Sequence, residues 1–332
     1  MGEFDLIERY FKRPTQKAVL GVGDDCALLA PTAGMQLAIS SDMLVEGRHF
    51  LSTVDPARLG HKALAVNLSD LAASGATPIA FTLALSLPRV DETWLAGFSS
   101  GLLQLADAHG CELVGGDTTQ GPLNICITVF GEVPPGDALL RHNAQVGDDI
   151  YISGTVGDAR LALEVFRGTQ SLDAAGLTYA RLRMERPTPR VALGTALRGV
   201  ANAAIDVSDG LLGDLGHILK RSGVGAQIDT AWLQSSNTQR HSAGNEADAG
   251  ISPWLAALSW NKRLDYALAG GDDYELCFTA PVEQREMVHA AAWESDTPVT
   301  RIGRITSQQG LVVLDPQGQP IARRFASFDH FA

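Results

Sequence analysis

Leu37-Ala38-Ile39-Ser40-Ser41-Asp42 is an apolar run that closes on two serines and an aspartate. The same device recurs in CELVGGD (111–117), AIDVSD (204–209) and YALAGGDD (266–273), each reading as a strand that runs into small residues and an acid. Two further acidic sites, Gly23-Asp24-Asp25 and Asn67-Leu68-Ser69-Asp70, sit in similar company. One aspartate at a strand end is ordinarily a turn former or a helix cap. Recurrence of short carboxylates held by Gly and Ser turns points further, to hard divalent cations, because Mg²⁺ takes oxygen ligands and shares them with substrate phosphates.

Outward from residue 42, the segment 124–133 alternates Ile125, Ile127 and Val129 with Cys126, Thr128 and Phe130, the period of a strand with one buried face. Between the strands at 36–42 and 124–133 the period changes. Leu64, Leu68, Leu71 and Ala72 predict a helix over 61–74 that closes at Gly75, before Pro78. Trp94, Phe98, Leu102 and Leu105 predict another over 92–109, with Gly110 past its end. Strand, helix, helix, strand is an α/β (α+β) layer order. The pattern breaks at Pro134-Pro135-Gly136 and a new strand, DIYISG, begins at Asp149, so two domains are expected, 1–138 and 139–332.

The second half alternates again. Helices are expected over 158–166 and after Thr188, with Pro189 at the first helical position, then a strand at 203–207. A helix follows, with Leu211, Leu215, Ile218 and Leu219 on one face and Gly223 as its stop. A strand at 275–279, a helix at 282–293 and two terminal strands complete the chain. The segment 234–250 has almost no apolar content and reads as a surface loop without a catalytic role.

Composition narrows the class. The chain has 332 residues, 45% of them hydrophobic, enough for a large core. With 26 basic against 38 acidic residues its net charge is −12, which repels nucleic acid, and it shows no basic run. No apolar stretch is long enough to span a bilayer and the N-terminus lacks signal-peptide character. Cys26, Cys111, Cys126 and Cys277 lie far apart without a C-x-x-C pair, as in a reducing compartment, so a cytoplasmic protein is expected. No Walker loop, H-E-x-x-H or G-x-S-x-G is present. An ATP-handling chain of this kind must therefore meet phosphate charge with cations held by aspartates, helped by backbone N–H groups at glycine turns. Candidate turns are Gly115-Gly116, Gly154-Thr155-Val156-Gly157 and Ser208 before Gly210. Arg141 reads equally as a phosphate clamp or a solvated linker charge.

GVGDDCALL, SSDMLVEGRHF, NLSDLAASGATP, ELVGGDTT, IDVSDGL, GGDDYELCF and FDHF, in that order over nearly the whole chain, resemble the thiamine-monophosphate kinase family of the aminoimidazole-ribonucleotide synthetase superfamily. The resemblance implies two α/β domains. The N-terminal one would bind ATP and Mg²⁺ and form a barrel in a homodimer, and the C-terminal one would complete the active site. It implies transfer of a phosphoryl group from ATP to thiamine monophosphate with several Mg²⁺ ions, Asp42, Asp70, Asp117 and Arg141 carrying the transfer. By the same resemblance Asp25, Ser40, Ser41, Asp42, Asp70, Asp117, Asp206 and Asp209 are the metal set, and Gly116, Asp117, Arg141 and Ser208 contact the nucleotide. His49, Asp272 and Phe328 would meet the thiamine phosphate. The chain departs from the family in having Asp272 where Glu is more common and Phe328 where Trp or Tyr is common; Ser41 and Ser74 replace Thr and Met. Two rivals stand beside this reading. One is a sister synthetase, although the chain has neither a C-terminal cysteine nor a reactive cysteine before Cys26. The other is a non-catalytic divalent-ion or nucleotide-binding protein.

Overall fold

The computed structural model describes residues 2–240 and 246–325, in two compact units: Met1–Leu71 with Ala76–Gly136, and Ala72–Gly75 with Asp137–Ala332. Phe328 lies outside the described residues. No helix among the described residues is long and apolar enough to cross a membrane.

The N-terminal unit begins with α1 (Glu3–Tyr10) and the short pair β1 (Ala18–Leu20) and β2 (Leu28–Leu29). β3 (Gln36–Val45), α2 (Pro56–Ala73), β4 (Thr77–Leu87), α3 (Glu92–Ala108), β5 (Glu112–Gln120) and β6 (Asn124–Val133) follow. Its four-stranded sheet has the order β3-β6-β4-β5, with β4 and β5 parallel and joined through α3, and the other pairs antiparallel. In β6, Ile125, Ile127 and Val129 are buried while Cys126, Thr128 and Phe130 are half-buried, so the alternation marks the two sides of the sheet. One side lies under α2. On the other, β1 and β2 cover part of the surface, with Ala18, Ala27 and Leu29 packed on Ile79, Ala80, Val114 and Phe130. The rest leaves Ile39 and Met43 exposed.

Three boundaries differ from the sequence reading. α2 starts five residues before His61, because Pro56 has the φ of a first helical turn and the Asp55 carboxylate accepts the Arg58 amide. β3 and β5 do not stop at their aspartates: Asp42 and Asp117 are interior strand residues, paired opposite Ile127 and Ala84. YALAGG is not a strand either.

The C-terminal unit contains β7 (Asp149–Ser153), α4 (Asp158–Phe166), α5 (Ala174–Glu185), α6 (Val191–Ala196), β8 (Ala203–Asp206), α7 (Leu211–Ser222) and β9 (Gly225–Asp229). Then come β10 (Asn237–Arg240), β11 (Glu246–Ala249), α8 (Pro253–Ala256), α9 (Trp260–Ala269), β12 (Leu276–Ala280), α10 (Arg285–Glu294), β13 (Val299–Thr306) and β14 (Gly310–Leu314). The six-stranded sheet runs β14-β9-β13-β7-β12-β8, antiparallel except for β14 beside β9. Ile150, Ile152, Ile205, Leu211, Leu215, Ile218, Leu268 and Cys277 are at the heart of its core. YALAGG therefore ends the helix α9 rather than a strand. α5 has no wide apolar stripe to announce it, since its buried face is Gly176, Ala180 and Met184 with charged residues between. The helix expected at Thr188 begins only at Val191. The segment expected as a plain loop contains the β10–β11 ladder, and its end pairs with the turn after β7 through Gly250.

Candidate active-site segments

In the N-terminal unit, α2 and β3 bring three of the expected residues together. Ser40 and Asp42 occupy alternate positions of β3 and engage α2: the Ser40 hydroxyl donates to Asp70 Oδ2 at 2.5 Å, and the Asp42 backbone N–H donates to Asn67 Oδ1 at 3.0 Å. Asn67 is buried and is itself held by Nδ2 donating to the Ala63 carbonyl. Ser41 faces the other side, where its hydroxyl lies 3.0 Å from Thr128 Oγ1 and donates to the Ile127 carbonyl. Two residues past β3 the chain turns so that His49 Nδ1 accepts the Val45 N–H at 3.0 Å, which leaves the ring proton on Nε2 when the imidazole is neutral. The buried Lys62 of α2 donates to the His49 carbonyl, tying this turn to the same helix.

Asp117 stands apart. The register Asp42–Ile127–Leu83–Gly116 crosses all four strands, so Asp42 and Asp117 belong to the two outer strands. Three inter-strand spacings amount to about 14 Å. A Mg–O bond is about 2 Å, so within one copy of the chain these two carboxylates do not reach a common ion. Gly116 is required by geometry, with φ at 144° and any Cβ falling 1.8 Å from the Leu83 carbonyl oxygen. Asp117 is exposed, as is Asp25, whose N–H donates to Asp24. Among the described residues no three His, Cys, Asp or Glu side chains gather closely enough to enclose an ion.

In the C-terminal unit the two acid-bearing segments lie side by side. Asp206, at the end of β8, pairs with Leu276, and the main chain beyond continues the contact: Val207 N–H to Glu275 O, Tyr274 N–H to Val207 O and Asp272 N–H to Ser208 O. Asp272 and Tyr274 take left-handed φ angles of 70° and 51°, a conformation that costs roughly 1–2 kcal/mol per residue for a side chain with Cβ. The Tyr274 hydroxyl donates to Asp272 Oδ1 at 3.1 Å. Gly271 is needed here because a Cβ would sit 2.4 Å from the Ser208 carbonyl oxygen. The Arg141 side chain is exposed, and its carbonyl accepts the Ser222 hydroxyl.

The Gly154–Gly157 turn is not a vacant phosphate cradle. Gly154 N–H donates to Pro298 O, Val156 N–H to Gly250 O, and Gly157 N–H to the carboxylate of the buried Asp273 at 2.9 and 3.0 Å. Burial holds Asp273 well above the usual carboxylate range. Glu275, fully buried, accepts from Arg190 through two nitrogens, from Arg183 and from Ser153. Burial would raise its pKa, but the two guanidiniums pull it below its ordinary value. The turn at Ser208 is also engaged. The N–H groups of Ser208, Asp209 and Gly210 all donate to Asp214 Oδ2 at 3.1 Å. Burial, and then the neighbouring Asp209 charge, push Asp214 up to about 6 in spite of these donors.

Sequence reasoning missed Asn67, Asp214, Glu275, Arg183 and Arg190. A signal existed for two of them: Asp214 lies between Leu211 and Leu215 on the apolar stripe of α7, and Glu275 opens the apolar run Leu276-Cys277-Phe278. A charge in such a place needs a dedicated partner.

Two acid-bearing α/β units in this order define the class. Residues 23–133 match the AIR synthase related protein N-terminal domain and residues 145–315 the C-terminal domain of the same family. The chain is 47% identical over 337 aligned residues, covering 100% of this chain and 98% of the relative, to the thiamine-monophosphate kinase of Escherichia coli (strain K12). It is 46% identical to that of Salmonella typhimurium with the same coverage. The crystal structure of thiamine-monophosphate kinase from Stenotrophomonas maltophilia K279a superposes with a TM-score of 0.81 at 46% identity, covering 96% of each chain. AaThiL complexed with AMPPCP and TMP matches at 0.72 and 28% identity, over 91% of this chain and 89% of that one. The chain belongs to the thiamine-monophosphate kinase family. Hydrogenase maturation protein HypE shares the fold alone, at 20% identity and a TM-score of 0.73.

Proposed function

We propose that the chain transfers the γ-phosphoryl group of ATP to thiamine monophosphate, giving thiamine diphosphate. The observation that carries the reading is full-length identity of 46–47% to thiamine-monophosphate kinases, against 20% to the sister HypE. The solved relative holding AMPPCP and TMP supports a nucleotide donor and a TMP acceptor.

The donor chemistry fits Mg²⁺. Ser40, Asp42 and Asp70 offer oxygen only, and so do Asp25, Asp117, Asp206 and Asp209. We assign these residues to hold several ions, with Ser41, whose hydroxyl is engaged by β6, taking part through its main chain. Bound Mg²⁺ would supply charge neutralisation between the two phosphates. The acceptor monoester is already largely dianionic at neutral pH, its second pKa being about 6, so no general base is required of the protein. The chain's part is then positioning. Gly116, Asp117, Arg141 and Ser208 are assigned to the nucleotide, and His49, Asp272 and Phe328 to the thiamine phosphate; Asp42, Asp70, Asp117 and Arg141 carry the transfer. Residues 1–138 form the part that binds ATP and cations and pairs with a second copy, and 139–332 supply the remaining site residues. Exposed Ile39 and Met43 on the open side of the sheet support a homodimer. Four free cysteines suit a cytoplasmic setting.

The deciding experiment is ADP release with Mg²⁺ and ATP, comparing thiamine monophosphate with thiamine as acceptor. Turnover dependent on thiamine monophosphate is expected, and equal or absent turnover with both would overturn the assignment.

A further inference from the structure

Like Asp273 and Glu275, Asp214 is a buried acid of the C-terminal segments that is held by groups of the chain itself. It sits in the first turn of α7, is 3% exposed, and a single oxygen, Oδ2, accepts the N–H groups of Ser208, Asp209 and Gly210. Three successive N–H groups converging at the start of a helix form a cradle for an anion, reinforced by the helix dipole. Here the anion is the chain's own carboxylate. From the opposite side the Asp272 N–H holds the Ser208 carbonyl, and the Tyr274 N–H holds Val207, so the main chain from 207 to 210 is fixed on both edges. Burying a carboxylate beside Asp209 is unfavourable for the protein alone, which makes packing an insufficient reason for its presence.

We infer that Asp214 is a positioning residue: it fills the anion cradle at the start of α7, which fixes Asp206 and Asp209 for cation capture and withholds the Ser208–Gly210 N–H groups from phosphate. Phosphate in this unit is then met through cations held by aspartates rather than by the helix N-terminus. The inference rests on Asp209 being a cation ligand, and the test separates the two.

Asp214→Ala, Asp214→Asn and Asp209→Asn are compared with the parent by amide hydrogen exchange at 208–210 in the metal-free protein, by calorimetric titration with Mn²⁺, and by the Mg²⁺ concentration for half-maximal turnover. Asp214→Ala is expected to speed exchange at the three amides at least tenfold, to weaken Mn²⁺ binding about tenfold, within the range for removing an outer-shell partner, and to raise half-saturation by a similar factor. Turnover should return towards the parent's at high Mg²⁺. Asp214→Asn keeps an acceptor oxygen of the same reach and should lie closer to the parent than Asp214→Ala in all three readings. If Asp214→Ala does not fold, Asp214→Glu, which displaces the oxygen by one methylene, is read in its place with the same expected shifts. Faster exchange with unchanged Mn²⁺ affinity and half-saturation, while Asp209→Asn alters both, would overturn the role of Asp214 and leave the cation reading intact. Unchanged cation behaviour in Asp209→Asn would remove the reading and the inference together.

Discussion

Asp117 is exposed and makes no contact that the core depends on, so Asp117→Asn isolates charge from fold. Turnover should fall by about a hundredfold or more, as expected when a charge-bearing group that acts on the transition state is removed, while the melting temperature stays within a degree or two. A steady-state assay at fixed Mg²⁺ with a thermal melt checks both. Tyr274→Phe asks a finer question. It deletes only the hydroxyl that orients Asp272, worth about 1 kcal/mol as a single hydrogen bond. The Michaelis constant for thiamine monophosphate should rise roughly fivefold, as about 1 kcal/mol implies, with that for ATP nearly unchanged. A shift in both constants would show that the hydroxyl supports the fold rather than the acceptor. At this scale the sequence was readable for Ser40, Asp42 and Asp70, singled out by their own motifs and brought together by β3 and α2. It was not readable for Asn67 or Asp214, whose surroundings are set by backbone N–H groups, of β3 for Asn67 and of the turn just before α7 for Asp214.

Among the elements, β5 is joined to the N-terminal segment by one side chain. Glu112 accepts the N–H groups of Gln16, Lys17 and Ala18. Partial burial would raise its pKa, but these donors and the Lys17 charge win, and the carboxyl lies below its ordinary value of 4.5 in the folded protein. For a carboxyl lowered by folding, the stabilisation is fully present above the ordinary value and is lost as pH falls through the folded one. Melting temperature should therefore drop between about pH 5 and pH 3, and Glu112→Gln should flatten that part of the profile while lowering stability at pH 7. If the variant kept the parent's slope, other carboxylates would govern acid sensitivity. Most elements were legible because their period was clean, as in β6 and α7. α5 was not, since small residues form its buried face, and α9 was mistaken because YALAGG is too short an apolar run to separate helix from strand by period.

For the molecule as a whole, the layer class follows from element order, but the sheet orders do not. β14 pairs with β9 and β7 sits between β13 and β12, arrangements fixed by tertiary packing of strands that look alike in sequence. The open side of the N-terminal sheet carries the prediction at this scale. Ile39 is 60% exposed and Met43 53% exposed. Light scattering should give twice the chain mass, and Ile39→Lys, which places a charge on that surface, should shift the population to monomer at micromolar concentration. A monomeric parent would leave the apolar side unexplained by self-association.

The separation of Asp42 and Asp117 by three strand spacings reaches beyond ligand counting. If each of these carboxylates holds its own cation, as proposed, turnover would need more than one ion in place at once. The rate would then climb with more than the first power of free Mg²⁺ after ATP has taken its own, and initial rates measured against free Mg²⁺ at fixed ATP would show it. Cofactor synthesis would slow disproportionately when a cell runs short of magnesium.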